Sequence, residues 1–366
     1  MAAPRVLHVI TGLGTGGAER ALTCLVLAQP PEARPVAVVS LGAGGRYADI
    51  LRDAGIAVIE LGMRAGWPSP LGLLRLVRAI RRLAPDIVQS WMYHADLAAL
   101  IARALSGRRR RTRLYWGVRC SDMDPRAYSR RSRIVVRLCA RLSGRPDAVV
   151  ANSVAGRDHH LGIGYRPRAF PVIDNGIDPT PFAPDPARRR AARDELGLAP
   201  DAVAVALVAR VDPMKDHANF LAAFARVHGA TALLIGAGTD ALPETPNVRR
   251  LGERADIPRL LAAADILASA SAFGEGFPNA IVEGMAAGRA VVATDVGDSR
   301  RILGETGLIV PPRDPAALAA ALQSLIDDPA RRQALGAAAR RRVAAEFTLD
   351  RARAAWAALY AGDAGG

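Results

Sequence analysis

Apolar residues fall into short unbroken runs along the chain, separated by stretches in which they recur every three or four positions. The runs Val6 to Thr11, Pro35 to Ser40, Ala57 to Leu61, Asp86 to Ser90, Leu114 to Val118, Ala148 to Asn152 and Phe170 to Ile173 predict strands. Intervening stretches such as Leu71 to Arg82 and Ala95 to Ala104 predict helices. Strand and helix alternating across short loops is the pattern of a doubly wound parallel sheet, whose ligands bind beyond the carboxyl ends of the strands. A second set follows at Val203 to Ala209, Leu233 to Gly238, Val248 to Gly252, Ala290 to Ala293 and Thr306 to Val310, with helices starting near Asp314, Ala330 and Leu349. Between the sets lies DNGIDPTPFAPDP, whose Pro, Gly, Asn and Asp content marks a domain boundary. The expected division is an α/β domain over 1–173, a linker over 174–188, a second α/β domain over 189–348 and a terminal helix over 349–366.

The densest chemistry lies between Ser271 and Gly297. Pro278 suits the first turn of a helix, where its missing N–H costs nothing, and Gly288 suits its end. Just before it, Glu275 stands between Gly274 and Gly276, a turn whose backbone a ligand can approach. The helix start favours an anion, phosphate above all. At 1.5 Å per residue, Glu275 and Glu283 should lie on the order of 10 Å apart. That exceeds the roughly 5 Å of a retaining hydrolase pair and suits two hydroxyl-rich ends of one ligand with negative charge between them: sugar, diphosphate, ribose.

Length and composition narrow the classes. At 366 residues the chain can build two cores. It shows no long apolar run and no signal-peptide pattern, so a cytoplasmic location is expected. Cys24, Cys120 and Cys139 have no metal-ligand spacing, and no metal is expected. The net charge of +14 comes almost wholly from arginine; Lys215 is the sole lysine. A lone ammonium among so many guanidinium groups points to a role that wants a compact charge.

Arginines crowd between Arg108 and Arg141. From Arg130 onward they form one stripe of a helix whose apolar stripe is Ile134, Val135, Leu138 and Leu142. A solvated outer face, an anionic membrane surface and a nucleic-acid site compete here; without interleaved aromatics, nucleic acid is disfavoured. Gly12, Gly14 and Gly17 fit a dinucleotide fingerprint, yet the second strand ends in Ser40 and Leu41 rather than in an acid, which weighs against a dehydrogenase. His94 stands just past a strand end and is a candidate for the crevice. Arg210 and Lys215 flank the turn after Val203 to Ala209, spaced to clamp a diphosphate.

EGFPNAIVE followed by GMAAGRAVVATDVG closely resembles the donor-site signature of retaining family 4 glycosyltransferases of the GT-B fold, and the resemblance extends over nearly the whole chain. It implies two Rossmann-like doubly wound domains facing an interdomain cleft, with the terminal helix returning to the first. It implies a UDP- or GDP-linked sugar as donor, a glycan or lipid-linked acceptor, no cofactor, and a place in polysaccharide or glycolipid synthesis. Glu275 would hold sugar hydroxyls, with Gly276, Phe277, Pro278 and Asn279 shaping that turn, and Glu283 would bind ribose. Gly16 and Gly17 would face the diphosphate or acceptor, and Leu251, Gly252 and Arg254 the nucleobase. Asp174 replaces a usual proline, and Arg119-Cys120 stands where many relatives carry a histidine. Two rivals stay open: a UDP-sugar epimerase using the same cleft, against which the linker and the spacing of the two glutamates favour transfer, and an inactive membrane-surface scaffold, which the Arg119-Cys120 departure keeps in play.

Overall fold

The computed structural model describes residues 3–63, 69–121 and 129–362. Arg126, one of the clustered arginines, lies outside them. The chain divides into two compact units, Met1–Gly176 with Leu349–Gly366, and Ile177–Thr348.

In the first unit β1 (Val6–Ile10), β2 (Ala37–Ser40), β3 (Val58–Glu60), β4 (Ile87–Trp91), β5 (Arg113–Val118) and β6 (Ala148–Ala151) form a parallel sheet in the order β3-β2-β1-β4-β5-β6. Alternate strand residues face opposite sides, and both sides are apolar. Leu7, Val9, Val88, Leu114 and Trp116 share a core with α3 (Pro70–Leu83), α4 (Tyr93–Leu105) and α5 (Arg130–Leu142). Val6, Ile10, Ile87 and Tyr115 share one with α1 (Gly17–Leu27), α2 (Arg46–Asp53) and the terminal helix α14 (Leu349–Ala361). Helix α6 (Val154–Gly162) follows the last strand. Under α14 the core turns polar and aromatic. Trp91 Nε1 donates to His8 Nδ1 at 3.1 Å, and the Arg119 guanidinium lies 4.0 Å from the Trp91 ring and 5.6 Å from that of Trp356.

Two expectations are corrected here. Phe170 to Ile173 forms only a bridge, Val172 to Ala151, because Pro171 has no N–H to continue a ladder. The buried stripe of α5 is Val135, Cys139 and Ala140, so Ile134 and Leu138 stand 45% and 40% exposed instead of packing inward.

In the second unit β7 (Val203–Val208), β8 (Ala230–Ile235), β9 (Val248–Arg250), β10 (Ile266–Ser269), β11 (Ala290–Thr294) and β12 (Leu308–Val310) form another parallel sheet, ordered β12-β11-β10-β7-β8-β9. Its helices are α7 (Pro186–Glu195), α8 (His217–Phe224), α9 (Ile257–Ala263), α10 (Asn279–Ala286), α11 (Ser299–Leu303), α12 (Pro315–Ile326) and α13 (Pro329–Glu346). Of these α8 and α12 cover one face and the others the opposite face. Both sheets have the doubly wound order in which chain direction reverses beside the first strand, and a crevice opens at that switch. It falls between β1 and β4 in one unit and between β7 and β10 in the other.

Candidate active site

The loops after β7 and β10 leave adjacent strands at the switch. Asp212 folds the first: its Oδ1 accepts from the Met214 N–H at 2.9 Å, and its Oδ2 from Nε and Nη2 of Arg210 at 3.2 and 3.0 Å. The Met214 carbonyl accepts from the Ala272 N–H at 2.8 Å, stitching the loops together. Lys215 Nζ thereby reaches Glu275 Oε1 as a hydrogen-bonded ion pair, and the same oxygen accepts from Ser271 Oγ at 2.6 Å. Glu275 is 7% exposed. Burial pushes its pKa up, but the charge and hydrogen bond of Lys215, the Ser271 hydroxyl and the field of Arg210 together hold it below the ordinary carboxylate value. A small cavity lined by Ala209, Lys215, Ser271, Glu275, Pro278 and Ala280 opens beside this pair.

Pro278 is the N-cap of α10, one position ahead of the expected first turn, and among the described residues no side chain caps that helix start. Glu283 is buried within the same helix. The helix ends as expected at Gly288, φ +68°: the N–H groups of Gly288 and Arg289 bond to the carbonyls of Met285 and Gly284, both at 2.9 Å. Phe277 shapes the turn from inside the core, edge-on to Phe347. The Gly276 carbonyl accepts from the Asp298 N–H at 3.2 Å.

Other expected residues lie at the carboxyl ends of their own strands. Leu251 and Gly252 follow β9; the Gly252 N–H bonds to Thr239 Oγ1 at 3.0 Å and its carbonyl accepts from the Gly236 N–H at 2.8 Å. Arg254 forks onto Asp256 at 2.8 and 2.7 Å and also reaches Glu195. In the first unit Gly16 is the N-cap of α1 and Gly17 its first residue. Glu19 folds back so that a Cβ on Gly16 would stand 2.3 Å from its carboxylate. A carboxylate therefore already lies over that helix start, where the diphosphate or the acceptor was expected. His94 is the second residue of α4; its Nε2 is buried with no hydrogen-bond partner among the described residues, and burial lowers its pKa. Met92, just ahead of it, has φ +74°, an uncommon conformation for a side-chain-bearing residue.

Sequence reading missed the partners of these groups. Ser271, four residues before Glu275, and Asp212, between the two cations, were in plain view, but side-chain hydrogen bonds carry no periodic signal. The Arg119-Cys120 position also proves structured. Cys120 Sγ lies 3.1 Å from Tyr93 Oη, which lies 2.8 Å from His160 Nε2. The other ring nitrogen of His160 meets the Gly156 carbonyl at 2.6 Å, so Nδ1 carries the proton and Nε2 accepts from Tyr93. Burial pushes the Cys120 thiol up to about 11.

Two doubly wound parallel sheets are the architecture of the GT-B fold, and the second unit carries a lysine–glutamate pair at its switch. Residues 15–181 match the family described as Glycosyltransferase Family 4, and residues 202–328 match Glycosyl transferases group 1. The two matched segments together take in most of the chain. It is 33% identical over 231 residues to the D-inositol 3-phosphate glycosyltransferase of Kineococcus radiotolerans, covering 54% of this chain and 53% of that one. It is likewise 33% identical over 202 residues to the GDP-mannose-dependent monoacylated alpha-(1-6)-phosphatidylinositol monomannoside mannosyltransferase of Corynebacterium glutamicum, covering 50% and 53%. The chain thus spans about half the length of these curated relatives. Its fold matches Anabaena Alr3699/HepE in complex with UDP-glucose, with a TM-score of 0.86 at 24% identity over 98% of this chain and 100% of that one. It also matches sucrose-phosphate synthase from Thermosynechococcus elongatus, with a TM-score of 0.81 at 19% identity over 98% of each.

Proposed function

We propose that the chain transfers a glycosyl group, with retention of anomeric configuration, from a UDP- or GDP-linked sugar to a glycan or lipid-linked acceptor at the cytoplasmic face of a membrane. The observation that carries this reading is the Lys215–Glu275 pair at the β7/β10 switch. An arriving diphosphate takes Lys215 from Glu275 and Arg210 from Asp212, gaining charge-assisted contacts of roughly 1.5–3 kcal/mol each. Glu275, ionised at neutral pH, then accepts hydrogen bonds from sugar hydroxyls, and Glu283 from ribose. The start of α10 adds its positive dipole end. As the bond between sugar and nucleotide breaks, the two cations stabilise the charge growing on the departing diphosphate, so that no metal ion is needed. On the acceptor side His94, kept neutral by burial, is the candidate to receive the proton of the attacking hydroxyl. The names of the two curated relatives point to an inositol phosphate and a phosphatidylinositol mannoside as their acceptors, which supports an acceptor of polyol or lipid-linked type for this chain.

Calorimetric titration with UDP, GDP and ADP, on the wild-type protein and on Lys215→Ala, tests the reading. One nucleotide should bind, and the variant should lose most of that affinity. Binding unchanged by the substitution would remove the clamp and the mechanism built on it.

A further inference from the structure

We propose that the outer face of the α3, α4 and α5 layer docks on an anionic lipid bilayer, with Leu71, Leu74, Leu105, Ile134 and Leu138 entering the interface between arginines that meet the headgroups. This rests on the transfer reading and names the surface on which its acceptor would be met. The five side chains are 55%, 50%, 55%, 45% and 40% exposed, and they are five of the eight large apolar residues that stand exposed among the described residues. All lie on three neighbouring helices that cover one side of one sheet. Helices α3 and α5 contain no Asp or Glu, and the only one in α4, Asp96, is fully buried.

Among the described residues, the exposed arginines of this face make no ion pair. Arg78 and Arg82 on α3, Arg109 to Arg111 after α4, and Arg137 and Arg141 on α5 are exposed. Ion pairs of the first unit include those of Arg52, Arg103, Arg157 and Arg353. A face that only needed solvation would not leave aliphatic side chains bare between unpaired cations. A bilayer with anionic headgroups satisfies both features, because the aliphatic groups leave water and the guanidinium groups find phosphate. Single-stranded nucleic acid would want aromatic platforms, and among the described residues no aromatic is one of the exposed large apolar side chains. Leu71, Leu74 and Ile134 lie near the starts of helices that follow strands, hence toward the end of the sheet where ligands of this fold bind.

Co-sedimentation of the full chain with extruded vesicles tests this. Vesicles of phosphatidylcholine mixed with phosphatidylglycerol should bind the protein in a salt-sensitive way, and phosphatidylcholine alone should not. Ile134→Ser combined with Leu138→Ser should weaken binding by about tenfold or more, two aliphatic groups having left the interface. Arg137→Glu combined with Arg141→Glu should nearly abolish it. Equal binding to both vesicle types, full binding by the serine variant, or displacement of the protein from vesicles by single-stranded nucleic acid would overturn the proposal. Nucleotide titration of the same samples reports folding and separates the two readings: wild-type protein that binds nucleotide but not vesicles defeats only the docking surface.

Discussion

Gly297 lies directly against the main chain of Glu275: a Cβ there would stand 2.1 Å from the Glu275 carbonyl oxygen and 2.9 Å from that of Gly276. With φ at +59°, the residue also occupies a conformation that side chains disfavour. The exit from β11 thus props the loop that holds the buried carboxylate, which explains why the sequence motif extends to residue 297.

Gly297→Ala should therefore destabilise the protein by roughly 1–3 kcal/mol and push Glu275 away from Lys215. Urea unfolding measures the first effect. Transfer assayed where the variant remains folded measures the second and should fall more than tenfold, a loss of about 1.4 kcal/mol or more in the barrier. Wild-type transfer in a destabilised variant would mean that the loop is held elsewhere.

Ser271→Ala removes a hydrogen bond to a buried ionised carboxylate and should cost about 1.5–3 kcal/mol of stability at neutral pH. The pH dependence has a definite sign. The pKa of Glu275 is lower in the folded chain than in the unfolded one, so its contribution is complete above the ordinary carboxylate value of 4.5 and is lost as pH falls through the folded value. The variant should show that acid loss at higher pH, read from denaturation midpoints on the acid side.

His160 and His8 give a second pH effect, in the first unit. Burial lowers them from 6.5 to about 4 and about 3. Below pH 6.5 the unfolded chain takes up protons that the folded chain refuses, so stability should fall with pH, by roughly 1–2 kcal/mol per group by pH 5. His160→Gln should flatten that slope. An unchanged slope would show that the ring titrates normally.

Arg119→Met should loosen α14. The substitution removes the stacking on Trp91 and Trp356 and the hydrogen bond from Nη1 to Asn175 Oδ1 at 3.0 Å. A cost of about 1–3 kcal/mol is expected from a shielded cation–π contact and one hydrogen bond. Hydrogen exchange should accelerate across 349–361, and protection like that of the wild type would mean that apolar packing alone holds this helix.

Much of the fold was legible because parallel strands buried on both faces are written as apolar runs, and glycines punctuate their exits. Gly288 ends α10 where the sequence placed a stop, and Lys215 meets Glu275 across 60 residues of chain because both follow strands at the switch. What stayed hidden was which partners those charges already had. Glu19 folded over Gly16, and Asp212 beneath Arg210, are short-range side-chain choices that no spacing rule reports. The stripe of α5 was misread because Cys139 and Ala140, small and weakly apolar, turn out to be the buried positions while Ile134 and Leu138 are not. Size and hydropathy rank residues, but helix rotation is decided by what the neighbouring helix leaves room for.

The pairing of Lys215 with Glu275 also sets what the site can reject. Inorganic phosphate could take the ammonium but would leave a buried carboxylate without its lysine counter-charge, and a free sugar could serve the carboxylate without attracting the ammonium. Only a molecule that brings an anion and hydroxyl donors together repairs both halves of the broken pair. On the transfer reading, the resting salt bridge would act as a filter for the intact nucleotide sugar over its fragments, set by charge balance before any shape is read.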